Sequence, residues 1–334
     1  MKTLGAAVIG CGAISKNHGK ALEELSDARL LYCTDLRFER AEAFSKTYGG
    51  EALHSYEELF ERPEVDVVHI CTPHWTHPEI AINLMRHGKH ILCEKPMAIA
   101  VRDAKRMIEV SRETGCRLGV CFQNRFNPAS AEAKQLLEEE RYGKIISAMV
   151  LVAWDRHGAY YTESDWRGAY ATEGGGCIIN QAIHSIDLLD YLSGGIAALS
   201  AVDAKLRDTS DYEVDDSCMA NFVFRNGGQG VGYFTNCYPL SKQATVEIRC
   251  EQAVLTVKQS GLLIETKTGN EFHPAETATG EKSEWGLSHG KLIRGFYSAL
   301  LSGTPFPVDG ESALNSVKII NAMQHSRGKM IVIE

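Results

Sequence analysis

Apolar positions along the chain follow two rhythms. Over the first 122 residues, short β-branched runs that are apolar on both faces recur as LGAAVIG (4–10), RLLYCTD (29–35), VDVVHICTP (65–73), HILCEKP (90–96) and RLGVCFQ (117–123). Between them lie AISKNHGKALEEL, HPEIAINLMRHG and VRDAKRMIEVSRETG, which have helical spacing, the last two closed by glycine. Doubly apolar strands alternating with helices predict a doubly wound parallel sheet covered on both faces, an α/β unit. From about residue 144 strand signals follow one another: KIISAMVLVAWDRH, AALSAVDAKLRD, DDSCMANFVFRNG, GVGYFTNCY, ATVEIRCE, AVLTVKQ and LLIETKT. Turns such as RNGGQG and KQSG separate the later ones, which predicts an antiparallel meander with one face open to a partner or to helices. The expected organisation is one domain over 1–122 and an α+β domain with a large, mostly antiparallel open sheet over 123–334. HGKLIRGFYSALLSG and SALNSVKIINAMQHSRG predict two closing helices, placed to pack back on the first domain.

One segment breaks the second rhythm. GGGCIINQAIHSIDLLDYL (174–192) predicts a helix over 177–192 that is apolar on most of its circumference. Asn180, His184, Asp187 and Tyr191 sit three or four residues apart. At about 100° per residue they fall within roughly 60° of one another, a single polar seam on a largely buried helix. The three glycines before it either let a ligand or backbone come close or form a flexible turn.

Composition narrows the partners. The chain has 334 residues, 44% hydrophobic and 23% charged, with formal net charge −8. That acidic balance gives no reason to expect nucleic acid or an anionic membrane surface, and no apolar run is long enough to span a bilayer. Ten cysteines show no CxxC pair or metal-type spacing, and several lie in apolar strand-like runs, as small buried hydrophobes do. Free thiols in a chain this size point to the cytoplasm. The start, MKTLGAAVIGC, resembles a lipoprotein leader only superficially, because its charged region is one residue and the following residues explain it better.

Those residues are Gly10-x-Gly12-x-x-Ser15, between the first strand and the first helix. The first glycine allows a tight turn, and the second lets a pyrophosphate approach the helix N-terminus. Ser15 stands where a glycine would give the closest helix–strand packing. Asp35 ends the second strand 23 residues after Gly12, placed for ribose hydroxyls. A carboxylate there favours NAD over NADP, since it repels a 2′-phosphate; Arg37 and Arg40 behind it leave NADP possible. CEKPMAIA (93–100) leaves the sheet at the carboxyl edge, where doubly wound folds bind ligands. Lys95 would then sit beside the nicotinamide, where desolvation and a cationic ring lower a lysine pKa and let it move a proton. On those grounds alone a surface lysine before a helix-starting proline is also open.

In this order GCGAIS, CTPHWTH, CEKPMA, QNRFNP, WRGAYATEGGGCIINQAIHSIDLL and FYSALLSGTPFPVDGESALNSVKII resemble the glucose–fructose oxidoreductase, inositol dehydrogenase and MocA (Gfo/Idh/MocA) family over essentially the whole chain. The resemblance implies a Rossmann domain joined to an α/β domain whose open sheet builds homodimers or homotetramers, and substrates among sugars, polyols and related hydroxy compounds. It implies that Lys95 is the catalytic lysine, with His184 the histidine working beside it. Asn180 falls where many members have aspartate. Gly10, Gly12, Asp35, Thr72, Pro73, His77 and Glu94 match cofactor-lining positions, and the expected NAD-binding set also takes in Ala13, Ile14, Arg37, Lys95 and Gln123.

Asparagine accepts no proton, so an Asp–His pair is unavailable; Asn180 can still orient a sugar hydroxyl. Asp187, one turn beyond His184, is spaced to polarise that imidazole, although such side chains need not meet. The expected activity is reversible NAD(P)-dependent oxidation of a secondary alcohol, with Lys95 and His184 taking the proton. WDRHGAYYTESDWRG (154–168) supplies Arg156, Tyr160, Tyr161, Trp166 and Arg167. Arg156, Tyr160, Trp166 and Arg167, with Asn180, are the candidate substrate contacts, the alternative being an interface loop with buried aromatics. One histidine beside an amide and a carboxylate is a poor zinc set, so no metal is expected. Two other functions stay open: an enzyme of this build that uses NAD transiently to split a glycosidic bond, and a non-catalytic dinucleotide sensor.

Overall fold

The structure, a computed structural model, describes residues 3–275 and 288–334. Two compact units make up the chain, one of Met1–Phe122 with His289–Val317, the other of Gln123–Ser288 with Lys318–Glu334. In chain order the elements begin with β1 (Leu4–Ile9), α1 (Ser15–Glu24), β2 (Ala28–Thr34), α2 (Phe38–Tyr48), β3 (Glu51–Leu53), β4 (Val67–Ile70), α3 (His77–Arg86), β5 (His90–Cys93), α4 (Val101–Thr114) and β6 (Leu118–Val120). They continue with α5 (Pro128–Glu138), β7 (Ile145–Ala153), α6 (Ala159–Thr162), α7 (Ile183–Ser193), β8 (Ile196–Ala204), β9 (Ser217–Phe224), β10 (Gln229–Thr235) and β11 (Thr245–Cys250). The last are β12 (Ala253–Lys258), β13 (Gly261–Thr266), β14 (Gly269–Pro274), α8 (His289–Ser302), α9 (Gly310–Ser326) and β15 (Ile331–Val332).

In the first unit six parallel strands run in the order β3-β2-β1-β4-β5-β6. All residues of β1 are buried, as a strand covered on both faces requires. The winding reverses between β1 and β4, which opens a crevice at their carboxyl ends. β3 is only three residues long, too short to stand out in the apolar pattern. The segment after residue 288 packs on β6. Val120 N–H donates to Val308 O (2.9 Å), and the Arg117 guanidinium donates to the carbonyls of Thr304 and Gly303 (3.1 and 3.2 Å). Gly119 makes that approach possible, because a Cβ there would lie 2.7 Å from Phe296 and 3.1 Å from Phe306.

The second unit holds nine strands in the order β14-β13-β12-β11-β7-β10-β9-β8-β15. It is not one meander. β8–β9–β10 and β11–β14 are separate antiparallel runs, and β7 lies between them, parallel to β10 and antiparallel to β11. The chain leaves β7 through α6 and α7 before reaching β8, so no hairpin ties β7 to its successor. α5 and α7 cover one face, packing on β12–β13 and on β7 and β11. The other face is open, and Met149, Val202, Met219, Val231 and Tyr233 are exposed on it. Register makes them neighbours: Val202 faces Met219, Met219 faces Tyr233, and Val231 faces Met149.

The segment expected as one α-helix over 177–192 starts with a wider turn. Cys177–Ala182 is π-helical, and α-helical geometry begins only at Ile183, so regular 100° spacing does not connect Asn180 to His184. The buried Asp215 carboxylate holds this start, accepting from Gly176 N–H (2.7 Å) and Ile178 N–H (3.0 Å); Asp215 O accepts from Cys177 N–H (2.9 Å). Backbone and carboxylate thus satisfy amides that a helix start leaves open. The glycines are needed for that contact, because a Cβ on Gly176 would lie 1.9 Å from Asp215 O.

At the far end of the seam, Asp187 accepts from Arg125 Nε and Nη2 at 2.7 and 2.6 Å, with both side chains under one-tenth exposed. Tyr191 lies beneath the Arg125 and Lys134 charges at 4.9 and 4.6 Å. The seam is therefore divided: its C-terminal half fastens α7 to cations on and just before α5.

Two stability outcomes follow. Gly119→Ala forces Phe296 or Phe306 off its rotamer and lowers stability by about 1–3 kcal/mol in urea unfolding. Asp187→Ala takes the bidentate carboxylate away from the buried Arg125, costing roughly 3–5 kcal/mol, whereas Arg125→Met with Asp187→Leu regains most of that loss; equal losses for the single and double variants would refute the pairing.

Candidate cofactor and substrate sites

In the first unit the Gly10 turn closes over β4. Gly10 has φ +88°, and a Cβ there would lie 2.7 Å from Cys71 O, so only glycine fits. Around Gly12 nothing lies within 4 Å of the position a Cβ would take, which leaves room for a phosphate. Ser15 Oγ donates to Gly12 O at 2.7 Å, tying the turn to α1 where a third glycine would pack closer. The α1 start has no side-chain cap at Ile14, so its amides are available to an anion; Ala13 is exposed beside them. Asp35 accepts from Cys11 N–H (2.8 Å) and Arg37 N–H (2.9 Å), which fixes the carboxylate at the edge of the crevice. Arg37 itself is exposed. These features fit a dinucleotide: a cradle without side chains, an uncapped helix start and an acid at the ribose position.

Across the crevice, His77 bridges the loops after β4 and β5, with its ring nitrogens 2.8 Å from Thr72 O and Pro96 O. Thr76 Oγ1 donates to Pro73 O (2.7 Å), so Thr72 Oγ1 donates to Thr76 Oγ1 (2.6 Å). Trp75 projects half-exposed. Lys95 is half-buried and directly follows Glu94.

Glu94 is buried, and its surroundings were not legible beforehand. Its Oε1 lies 3.1 Å from His18 Nε2 and 3.3 Å from His289 Nε2. Burial alone would raise this carboxyl, but its hydrogen bond with His18 and the close approach of His289 more than offset it and hold it well below the usual range. His18 Nδ1 meets His69 Nδ1 at 2.8 Å, and His69 Nε2 meets Tyr297 Oη at 2.9 Å. Burial lowers both His18 and His69 and raises Tyr297, so the histidines are neutral and the phenol keeps its proton. Only one assignment of hydrogens then satisfies every contact: Tyr297 O–H donates to His69, His69 to His18, and His18 to Glu94. Cys121 completes the group, with His18, Glu94 and Cys121 offering ligand-type atoms within 4.8 Å of one another. Burial, then Glu94, pushes the Cys121 thiol well above its ordinary range, the opposite of what metal ligation by a thiolate needs.

In the second unit the candidate substrate contacts gather. Arg167 lies 4.5 Å from the Tyr160 ring and 5.0 Å from Trp166; Arg156 lies 5.9 Å from Tyr160 and 5.2 Å from Trp154. Guanidinium and aromatic groups thus alternate along one stack. Asn180 Nδ2 donates to Tyr160 Oη (3.2 Å) and to Glu173 Oε1 (2.5 Å). Gln181 Nε2 also donates to Tyr160 Oη, at 2.6 Å. His184 is 2% exposed. Gln123 is buried, and its Oε1 has no hydrogen-bond partner among the described residues. Glu173 is fully buried, and burial pushes its carboxyl up to about 7. No periodicity marked it, since it precedes the glycines and belongs to no helix.

The geometry has counterparts among known proteins. Residues 4–122 match the model of the GFO_IDH_MocA oxidoreductase family with an NAD-binding Rossmann fold, and residues 130–256 match the GFO/IDH/MocA C-terminal domain. Inositol 2-dehydrogenase of Rhizobium meliloti (strain 1021) is 25% identical over 331 residues, 97% of either chain. Myo-inositol 2-dehydrogenase of Thermotoga maritima is 31% identical over 228 residues, 67% of this chain and 66% of that one. Among solved structures, the WlbA dehydrogenase from Bordetella pertussis in complex with NADH and UDP-GlcNAcA is 28% identical, with a TM-score of 0.87, over 100% of this chain and 98% of that one. With a glycine cradle that fits a dinucleotide and family matches over both units, the chain belongs to the Gfo/Idh/MocA family of NAD-binding oxidoreductases.

Proposed function

We propose that the protein reversibly oxidises a secondary alcohol of a sugar, polyol or sugar derivative with NAD, Lys95 and His184 handling the hydroxyl proton. One observation carries this reading: Lys95 follows the buried Glu94 at the carboxyl edge of β5, in the same sheet whose Gly10–Gly12 turn fits the pyrophosphate. When bound, the dinucleotide supplies the hydride acceptor. The chain's part is to hold the alcohol and take its proton. A lysine amine or neutral imidazole accepts a proton that an amide cannot, which leaves Asn180 to orient the substrate. Arg156, Tyr160, Trp166 and Arg167 offer ring faces and guanidinium donors suited to a hydroxylated or anionic sugar. The similarity to two inositol dehydrogenases and to a dehydrogenase solved with a nucleotide-linked sugar supports that substrate range.

Cytoplasmic residence fits ten free thiols. Among the described residues no helix is long and apolar enough to cross a membrane. We also read the open face around Met149, Met219, Val231 and Tyr233 as the interface of a homodimer or homotetramer, since a contiguous apolar patch of this kind marks association.

Reduced-nicotinamide absorbance with a panel of sugars, inositols, sugar acids and phosphorylated or nucleotide-linked sugars should reveal a substrate with net NAD reduction. With it, Lys95→Met and His184→Ala each lose hydride transfer by roughly 10²–10⁴-fold, the usual worth of a positioned proton-transfer group, while NAD affinity holds. Undiminished turnover in Lys95→Met would sink the assignment, and turnover of a glycoside without net NAD reduction would favour transient oxidation. Val231→Glu with Met219→Glu should shift light-scattering mass to the monomer; an unchanged mass rules out this face.

A further inference from the structure

The hydrogen atoms around Asn180 can be counted. Glu173 Oε2 accepts from Gly168 N–H (2.6 Å) and Oε1 from Asn180 Nδ2 (2.5 Å). An ionised carboxylate only accepts, so it compels the Asn180 amide to turn Nδ2 toward it. The second hydrogen on that nitrogen goes to Tyr160 Oη. Gln181 is fixed from its other side: its Oε1 accepts from Asn236 Nδ2 (2.9 Å), which also donates to Tyr161 Oη (3.1 Å). Turning Asn236 around would put its Nδ2 where its Oδ1 now lies buried without a partner, and an orphaned amide nitrogen is rarer than an orphaned carbonyl. Gln181 Nε2 therefore faces Tyr160, whose oxygen receives two N–H groups. Its own hydrogen has to point away from both amides.

We propose that Glu173 is a positioning residue for the reaction: by turning Asn180 Nδ2 inward, its carboxylate makes Asn180 an acceptor and Tyr160 a donor toward the substrate. This rests on the reading of Asn180 and Tyr160 as substrate contacts. Glu173 thus places an acid one hydrogen bond behind Asn180. A substrate suited to this pair offers one hydroxyl that donates to Asn180 Oδ1 and one oxygen that accepts from Tyr160, as neighbouring positions of a sugar do.

Glu173 is faced by Arg167, which favours its charge, and by Asp215, which opposes it. Tyr160 and Tyr161 also face it; burial raises both phenols, Tyr160 to about 12, so neither ionises near neutrality. Burial pushes Asp215 up to about 6, close enough to need its own control. Once protonated, Glu173 can donate to Asn180 Oδ1, and the amide is free to turn over. The donor and acceptor pattern shown to a substrate then changes through the ionisation of Glu173.

Two measurements test this. Neutron diffraction from the perdeuterated full chain at pH 8 should place both Asn180 Nδ2 deuterons on Glu173 and Tyr160, and the Tyr160 deuteron away from Gln181. With a substrate from the panel, Glu173→Gln should lose roughly tenfold or more in kcat/KM, about what one mismatched oriented hydrogen bond costs, while NAD affinity and melting temperature hold. The wild-type pH profile should carry a limb near Glu173's ionisation that Asp215→Asn keeps and Glu173→Gln abolishes. Reversed deuterons, or a Glu173→Gln variant with unchanged kcat/KM and pH profile, would overturn the positioning role. A wild-type chain inert toward every compound in the panel would instead defeat the dehydrogenase reading, and the deuteron positions would still decide the orientation.

Discussion

A carboxylate buried at the end of an apolar parallel sheet has to be surrounded by donors, and Glu94 obtains them from distant parts of the chain. His18 donates from α1, and the His289 ring stands 3.3 Å away at the start of α8. His69 on β4 and Tyr297 on α8 sustain the series behind them. Without those donors the charge would cost several kcal/mol to bury. With them, Glu94 becomes a fixed negative charge whose Oε2 also accepts from Lys95 N–H (3.3 Å). Packing of α8 against α1, permitted further along by the bare Gly119, is thus a condition for ionising an acid beside the proposed catalytic lysine.

The second unit solves a similar problem in the opposite sense. Asp215 satisfies the amides at the π-helical start and sets the backbone path that carries Asn180 and Gln181. Glu173 then orients the amide of Asn180. Backbone position and amide orientation are separate requirements, and a different acid meets each. The glycines at 175 and 176 serve the first requirement, since a side chain there would strike Gln324 or Asp215.

What the sequence could and could not convey follows from which interactions have a period. Both sheets were legible because burial on two faces and alternation on one leave different apolar patterns. The dinucleotide cradle was legible because its backbone demands specific glycines at fixed spacing. The position of β7 between two meanders was not, since strand pairing is a long-range choice that local pattern does not encode. The seam was legible only as polarity. Asn180, His184, Asp187 and Tyr191 share a spacing, yet Asp187 and Tyr191 answer the cations of Arg125 and Lys134. Asn180, in a π turn, answers Glu173. A polar residue on an apolar helix signals only that a partner exists. His18, His69, His289 and Tyr297 were invisible for the same reason: His69 and Tyr297 look like single polar residues in apolar runs, His18 and His289 like ordinary polar residues beside lysine and glycine, and the structure alone brings them together.

The buried acids of the two units also pull stability in opposite directions with pH. The His18 hydrogen bond and the neighbouring His289 hold Glu94 below its ordinary range, so its contribution is present at neutral pH and lost as pH falls through that depressed value. Burial raises Glu173 to about 7 and Asp215 to about 6. The unfolded chain releases these protons earlier than the folded one, so their contribution is fully present below the ordinary carboxylate range and is lost as pH rises through those values. Through these three acids, falling pH removes a contribution from the unit with the dinucleotide cradle, while pH rising toward neutrality removes one from the unit with the amide cluster. The same burial that destabilises ionised Glu173 places its protonation change near neutrality, where it can reset the hydrogen bonds of Asn180. An acid placed directly at position 180 would do this by its own charge; an asparagine backed by a buried glutamate does it through a neutral group, which keeps the negative charge one residue removed from the substrate.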